Sequence, residues 1–157
     1  MGTSERIERE RHANVRHDNQ SYPVRAVRTR DFLYLRNLRP DRWPAGDPDV
    51  LFLHGRPYGD VDTTSVKDYL LAHQTDPAYA KHIGLIFGKR PAEELYDLKN
   101  DPNQLTNIAD QPEDADALNQ HRARVDEWMK QTNDPRIDPA NDDWDHFPYY
   151  GKSPRRE

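Results

Sequence analysis

Residues 94–109, ELYDLKNDPNQLTNIA, are the stretch that decides the fold. Successive side chains in its first five residues alternate between two faces, and a period of two predicts a short strand. The run Asn100-Asp101-Pro102 ends this strand, because proline has no N–H to give to a ladder and fixes its own φ. Leu105 and Ile108 are then expected to anchor a loop before a polar helix. The stretch contains no nucleophile, metal cluster or phosphate loop, which indicates a structural unit.

This stretch resembles a signature near the C-terminus of the sulfatase family, which reads roughly E-L-Y-D-L-x-x-D-P-x-E-x-x-N-L-A. An ordered match over about fifteen positions is a specific signal. Gln104 stands where the family pattern has Glu, so the acidic group of that position is lost here. The resemblance implies a C-terminal subdomain, which in a whole sulfatase supports the catalytic domain and lines the substrate opening.

Three further segments extend the resemblance, which covers residues 8 to about 137. Residues 25–37, RAVRTRDFLYLRN, are similar to the hairpin of the same subdomain. Residues 39–47, RPDRWPAGD, resemble the heparan N-sulfatase (sulfamidase, N-sulfoglucosamine sulfohydrolase)-like branch of the family. Residues 8–16, ERERHANVR, resemble a G-R-E-R-H-x-x-x-R segment of that branch, with Glu8 in place of Gly. That segment leads from the catalytic domain into the C-terminal sheet, near the mouth of the active site.

The sequence predicts an α+β fold with a small antiparallel sheet of about four strands. Residues 22–29 and 32–37 alternate in character and form a hairpin across a short link, 29–31. A C-terminal amphipathic helix is expected from about residue 113 to Gln131 and should pack on one face of the sheet. Its apolar stripe consists of Leu118, Val125, Trp128 and Met129.

Two further helices are predicted between the hairpin and the last strand. The first begins near Asp62 or Thr63 and has Val66, Tyr69 and Leu70 on one face. The second begins at Asp76-Pro77 and ends at Gly88, with Tyr79, Ile83 and Phe87 at helical spacing. The expected division of the chain is a polar arm or linker from a missing catalytic domain over 1–21, the subdomain over 22–134, and a polar Pro/Asp-rich tail over 135–157. Both ends are expected to be disordered.

The composition fits one domain with a small core. The chain has 157 residues, of which 34% are hydrophobic and 32% charged, and a net charge of −5. Such a weak acidic excess does not suggest nucleic acid or a membrane as a partner. With no Cys, disulfides and thiolate metal sites are excluded. No signal peptide is visible, but full-length sulfatases are often exported, so the compartment stays open.

Sulfatases hydrolyse sulfate esters, or sulfamates in the branch named above, and the resemblance implies their cofactors. The nucleophile is a formylglycine made from a C-x-P-S-R or S-x-P-x-R motif, and carboxylates hold a calcium ion. Ser21-Tyr22-Pro23-Val24-Arg25 fits the Ser form, but the residues after it have a strand pattern, whereas the chemistry needs a helix start. We therefore assign no catalytic residue and no metal ligand. Calcium and formylglycine would belong to the missing catalytic domain.

The remaining candidates for chemistry have simpler explanations. Residues 141–146, NDDWDH, lack the glycine bend and the ligand number of a calcium loop and indicate a solvated tail. None of the seven His residues lies in an H-x-x-x-H or H-E-x-x-H pattern, so the sequence predicts no dedicated zinc site. His121, in the last predicted helix, is expected at the surface or at its boundary.

Arg11 and His12 are the candidate substrate-contacting residues. By resemblance they lie at the rim of the pocket, where a cation and an imidazole can contact an anionic sugar. In the isolated chain, a disordered basic patch is the simpler interpretation of the same residues.

Two functions follow from these features. The first is a C-terminal fragment of a sulfatase- or sulfamidase-like hydrolase of sulfated glycans, inactive alone. The alternative is a non-enzymatic module that binds a separate sulfatase core or a sulfated glycan. A missing catalytic partner should leave an apolar patch on the face of the sheet away from the helix.

Overall fold

The computed structural model describes residues 5–11, 20–51 and 55–147 of the chain. The strands are β1 (Glu5–Arg11), β2 (Tyr22–Arg28), β3 (Phe32–Asn37) and β4 (Glu93–Asp97), and the α-helices are α1 (Ser65–Ala72), α2 (Ala80–Phe87) and α3 (Ala115–Gln131). Short 3-10 helices occupy Pro112–Asp114, Pro135–Ile137 and Asp143–His146. These elements confirm the α+β fold.

The chain forms two compact units, each made of segments that are distant in sequence. The sheet unit comprises Met1–Glu10, Pro23–Arg39 and Pro91–Asn141. The helical unit comprises Arg11–Tyr22, Pro40–Arg90 and Asp142–Glu157. The predicted boundaries at residues 21 and 134 stay a prediction.

The four strands lie in the order β1-β2-β3-β4. β2 pairs antiparallel with β3, and β3 pairs antiparallel with β4, so that Val27, Tyr34 and Leu95 lie side by side. The link at 29–31 is a tight turn in which Thr29 N donates to Phe32 O at 2.8 Å. The predicted hairpin is therefore confirmed.

Helix α3 packs on one face of the sheet, as predicted. Its side of the core contains Leu118, Val125 and Met129, which are spaced at whole turns of the helix and meet the Val27–Tyr34–Leu95 row. Trp128, predicted in the same stripe, is only partly buried at the edge of this core. The opposite face of the sheet is mixed rather than apolar; it carries Val24, Ala26, Arg28, Leu33, Leu35, Asn37, Glu94 and Tyr96.

The turn after β4 is built by two aspartates that bind backbone N–H groups. An oxygen of Asp97 accepts from Lys99 N at 2.9 Å and from Asn100 N at 3.1 Å. Asp101 Oδ2 accepts from Leu105 N at 2.7 Å and from Thr106 N at 2.8 Å. Aspartate side chains of this kind substitute for the backbone in turns. The Asn-Asp-Pro stop predicted from the sequence is thus a closed turn.

Asn107 covers the edge of β4 that faces away from β3. Its Oδ1 accepts from Leu95 N at 2.8 Å and from Ala109 N at 3.0 Å, and its Nδ2 donates to Glu93 O at 3.2 Å. Ile108 N also donates to Leu95 O at 2.9 Å. One side chain therefore takes the place of a neighbouring strand.

The two predicted anchors after the turn behave differently. Ile108 packs against the core, as predicted, whereas Leu105 is 45% exposed, so the prediction for Leu105 is wrong. Its backbone is already held by Asp101, and burial of its side chain is not needed to fix the loop. Gln104, at the family's Glu position, has a φ of 53° and donates its amide to Pro102 O.

The helical unit contains a second small core of Ala45, Leu70 and Phe87. Helix α1 begins later than predicted, because the Thr64 hydroxyl, not Asp62 or Thr63, caps it by accepting from Lys67 N at 3.2 Å. The buried face of α1 is formed by Leu70 and Lys67.

The predicted apolar face of α1 holds only in part. Leu70 is buried, but Val66 and Tyr69, which the sequence places on the same face, are exposed. Lys67 is buried instead, because its ammonium group donates to Tyr58 O at 2.9 Å and to Val61 O at 2.8 Å. Burial lowers the pKa of Lys67. Two backbone carbonyl groups thus hold the charged end of Lys67 on the buried side of α1, where the sequence pattern predicted apolar side chains.

Helix α2 also begins later than predicted. The Asp76-Pro77 segment forms a separate turn, in which Asp76 Oδ1 accepts from Ala78 N at 2.9 Å, and the helix starts at Ala80. It ends before Gly88, as predicted. None of the helices in the described ranges is long and apolar enough to span a membrane.

The arm and the tail are more ordered than the sequence suggested, as far as they are described. Glu5–Arg11 is a strand beside β2, although its side chains show no apolar pattern. A strand at a sheet edge is held by backbone hydrogen bonds, which such a pattern does not report. The expectation of little order is also wrong for residues 135–147, where two 3-10 helices form. Residues 1–4, 12–19 and 148–157 lie outside the described ranges.

We predict that Asn107→Ala lowers the free energy of unfolding by about 1–3 kcal/mol, because it leaves backbone groups of β4 without partners. Chemical denaturation followed by circular dichroism measures this change.

Asn103→Ala is the matched control. Asn103 is an exposed Asn of the same loop, and its substitution should leave the denaturation midpoint unchanged. Equal midpoints for the two variants would contradict the role of Asn107.

Candidate functional site

The two residues predicted at the substrate rim lie at the limit of the described chain. Arg11 is the last residue of β1, and its side chain is outside the description. His12 lies outside the described residues. Their contact with substrate stays a prediction.

Ser21, the formal match to the S-x-P-x-R pattern, lies directly before strand β2 and is fully buried. Its N–H donates to Asp145 Oδ1 at 2.7 Å, and its carbonyl oxygen accepts from Arg42 Nη1 at 2.9 Å. No helix begins there, so the peptide N–H groups that would bind a sulfate are not presented. The surroundings of Ser21 do not fit a formylglycine.

The acidic groups near Ser21 do not fit a calcium site either. Arg42 Nη2 lies 2.7 Å from Asp145 Oδ2 and 3.1 Å from Asp142 Oδ2. A guanidinium therefore already balances both carboxylates. Within the described ranges, no three or more His, Cys, Asp or Glu side chains are grouped to hold a metal ion.

These contacts also correct the prediction for residues 141–146. Asp145 was expected in a solvated tail, yet its side chain is only 11% exposed. Its partner, Arg42, belongs to a loop about 100 residues earlier in the chain. A sequence pattern within the tail cannot reveal such a partner.

A buried ion pair joins β2 to Asp134, which lies three residues after the end of α3. Arg25 Nε and Nη2 donate to the two carboxylate oxygens of Asp134 at 2.5 and 2.9 Å. Both side chains are almost completely buried. Burial opposes ionisation of Asp134, but hydrogen bonds from Arg25 and from Arg136 N outweigh it, so the pKa of Asp134 lies below its usual value.

A second polar network lies between the sheet and α3. Glu93 accepts from Arg122 at 2.8 and 2.7 Å and from the Tyr34 hydroxyl at 2.5 Å. Burial, together with the Glu93 carboxylate, raises the pKa of Tyr34 to about 12. Arg36 lies 2.6 Å from Asp126. These groups satisfy one another and hold the helix on the sheet.

A cleft of about 430 Å³ opens between the β2–β3 turn and the first half of α3. Its floor contains Phe32 and His121, whose rings meet edge to face with centroids 5.5 Å apart. We refer to it as the turn cleft. It is lined by Thr29, Arg30, Asp31, Phe32, Ala117, Gln120, His121 and Arg124.

His121 is held in its place in the turn cleft by two hydrogen-bond partners. Its Nδ1 lies 2.7 Å from Ala117 O, and its Nε2 lies 3.3 Å from Thr29 Oγ1. Since a carbonyl can only accept, Nδ1 carries the proton. Burial, with a contribution from the charge of Arg124, lowers the pKa of His121. The residue is 4% exposed, so its predicted surface or boundary location is wrong.

The rim of the turn cleft carries polar groups that stay exposed. Arg30, Asp31, Gln120 and Arg124 are all exposed. Within the described ranges, neither Arg30 nor Arg124 forms an ion pair. The turn cleft therefore offers free guanidinium donors beside an aromatic floor.

Comparison with known proteins relates the chain to sulfatases. No family model matches it. It is similar to the Ulvan-active sulfatase of Formosa agariphila, with 27% identity over 123 residues. The match covers 76% of this chain, and the chain spans 18% of that relative's length. This similarity supports the sulfatase relation.

We predict that Asp134→Asn lowers the free energy of unfolding by about 3–5 kcal/mol, because the charged and buried Arg25 then loses the carboxylate that accepts from its Nε and Nη2. Arg25→Met should be comparably destabilising at neutral pH, but its deficit relative to the native chain should shrink as the pH falls towards 4. Without Arg25, the buried Asp134 carboxyl keeps the hydrogen bond from Arg136 N but takes up a proton more easily, whereas the native pair loses stability once Asp134 is protonated. Denaturant titrations at several pH values measure both effects.

Asp68→Asn is the control for that prediction. Asp68 forms the same two-pronged pair with Arg56, at 2.6 and 3.2 Å, but on the surface. Its loss should leave stability nearly unchanged. A similar effect of Asp68→Asn and Asp134→Asn would contradict the importance of burial.

A pH dependence follows from His121. Its pKa in the folded chain lies below its usual 6.5, so the unfolded chain binds more protons as the pH falls through that value. The free energy of unfolding should therefore decrease from about pH 7 to about pH 5, and less so in His121→Gln. His82→Gln, at an exposed position, should retain the full decrease. An unchanged pH profile for His121→Gln would contradict this assignment.

Proposed function

We propose that this chain forms the C-terminal subdomain of a sulfatase-like hydrolase of sulfated glycans. In this role it supports the catalytic domain and lines the substrate opening, while a formylglycine and calcium in that domain break the bond. Within the family, we propose the heparan N-sulfatase-like branch. The substrate is then a sulfamate or a sulfate ester on a sugar.

The observation that carries the proposal is the construction of residues 94–109. Several polar positions of the family signature form hydrogen bonds that hold the local backbone of this chain. Asp97 and Asp101 close the turn, and Asn107 covers β4. This gives a physical reason for the spacing D-x-x-x-D-P and the Asn that follows it. The similarity to the Ulvan-active sulfatase supports the same assignment.

Two observations favour a supporting rather than a catalytic role for the described part. Ser21 is buried at the start of a strand, and its N–H and carbonyl oxygen are both engaged. The polar networks of the sheet unit connect α3 to the sheet and are internally satisfied. Chemistry of the sulfatase type needs a presented nucleophile.

The branch rests on residues 39–47, RPDRWPAGD, and these also have a structural role within the helical unit. The rings of Trp43 and Tyr58 pack edge to face with their centroids 6.2 Å apart. The Lys89 Nζ atom lies 5.1 Å from the centroid of the Trp43 ring. Gly46 has a φ of 90°, and a Cβ there would lie 2.8 Å from Gly59 N. The motif thus specifies a packed loop that only glycine allows.

The test is to purify the protein with a C-terminal tag from cells that encode it and to analyse the material by mass spectrometry. A formylglycine peptide from a C-x-P-S-R or S-x-P-x-R motif should be found, either in the same polypeptide or in one that co-purifies. Absence of any such peptide would overturn the proposal.

Assays of the same material and of the 157-residue chain complete the test. With calcium, the purified material should cleave N-sulfoglucosamine, and the 157-residue chain alone should not. Turnover of an aryl sulfate by the 157-residue chain would contradict the supporting role. Cleavage of ulvan but not of N-sulfoglucosamine would contradict the branch and leave the family assignment in place.

A further inference from the structure

We infer that the turn cleft is a non-catalytic binding site for a sulfated sugar unit. This inference rests on the proposed function only for the class of ligand, a sulfated glycan. The site itself is argued from the side chains that form the turn cleft, all of which belong to the sheet unit.

The cations of the turn cleft are available to a ligand. Arg30 follows Thr29 in the tight turn, and Arg124 lies one turn after His121 on α3, close enough for its charge to act on the imidazole. Both are exposed, unlike Arg25, Arg36 and Arg122, whose guanidinium groups are held by carboxylates. A guanidinium is a planar fork of donors that matches the oxygens of a sulfate group.

The other groups of the turn cleft favour a sugar over a bare anion. Asp31 and Gln120 are exposed and can accept and donate hydrogen bonds to hydroxyl groups. Asp31 also opposes a purely anionic ligand, because its charge offsets that of one Arg. A ligand with one oxyanion and several hydroxyls satisfies both signs of charge.

The floor of the turn cleft supplies a rigid apolar surface. Phe32 lies against His121. Thr29 fixes the turn, because its N–H donates to Phe32 O and its hydroxyl oxygen accepts from Phe32 N. The lowered pKa of His121 keeps its ring neutral near pH 7, so it presents an uncharged edge. The volume of about 430 Å³ accommodates a ligand of small-molecule size.

The test is to titrate the ¹⁵N-labelled protein with a heparin-derived tetrasaccharide, its desulfated form and sodium sulfate. We expect the sulfated tetrasaccharide to shift the amide signals of residues 29–32 and 117–124, and binding to weaken as salt is added. Desulfated tetrasaccharide and free sulfate should bind much more weakly.

Variants locate the site. Arg30→Gln with Arg124→Gln should reduce the affinity about tenfold or more, because two charge-assisted contacts are lost. Arg30→Lys with Arg124→Lys keeps both charges but loses the planar guanidinium groups. Its affinity should lie between that of the native chain and that of the double Gln variant. Lys81→Gln with Lys130→Gln removes two exposed cations elsewhere and should have little effect.

Several results would overturn the inference. These are an absence of binding, shifts confined to other residues, equal affinity for the desulfated tetrasaccharide, equal affinity for free sulfate, and equal losses in the Gln and control variants. None of them bears on the formylglycine peptide or on turnover, so the proposed function would stand or fall separately.

Discussion

Helix α3 is held on the sheet by a small apolar core, and the other features of the sheet unit depend on this contact. The core consists of Val27, Tyr34, Leu95, Leu118, Val125 and Met129. Among the described residues, these six are the buried members, and partly buried side chains such as Phe32 and Ile108 pack against them. The chain as a whole is only 34% hydrophobic. Burial of so little apolar surface leaves a narrow margin over the conformational entropy that folding removes.

Ion pairs hold α3 on the sheet in addition to the apolar core. Arg25 with Asp134 fixes the end of α3 against β2, and Arg122 with Glu93 fixes its middle against β4. The Arg25–Asp134 pair is buried, whereas the side chains of Arg122 and Glu93 are 37% and 28% exposed. A buried pair adds little net stability compared with apolar side chains, but losing one partner is costly. The pairs therefore fix which face of the helix and which register of the strand meet. By holding α3 on the sheet, these ion pairs also fix the position of His121, which lies on the same helix and lines the turn cleft.

Strands β2, β3 and β4 and helix α3 could be predicted from local pattern because each has a regular period and clear stop signals, whereas β1 has none. The hairpin link, the end at Asp97 and the stripe of α3 all follow from neighbouring residues. Arg25 and His121 could not be placed in this way. Whether a polar residue in a strand or helix is buried depends on a partner, and Asp134 and Thr29 are each about 100 residues from the groups they meet.

The same limit applied to the functional site. The family signature directed attention to residues 94–109, which proved to be structural, and to Arg11 and His12, which lie at or beyond the limit of the described chain. The sequence does not reveal the turn cleft, because Arg30 and Arg124 belong to no shared motif. They line the same cleft only once the helix has packed on the sheet. Two ordinary surface arginines in sequence become a site through tertiary structure alone.

The closure of β4 by Asn107 limits how this molecule can associate with others. An open strand edge is a template for any extended polypeptide, including another copy of the same chain. Here the Asn107 side chain already binds Leu95 N and Glu93 O, and Ile108 N binds Leu95 O. The sheet therefore cannot be lengthened past β4, and a neighbouring domain has to dock there through side chains rather than by adding a strand.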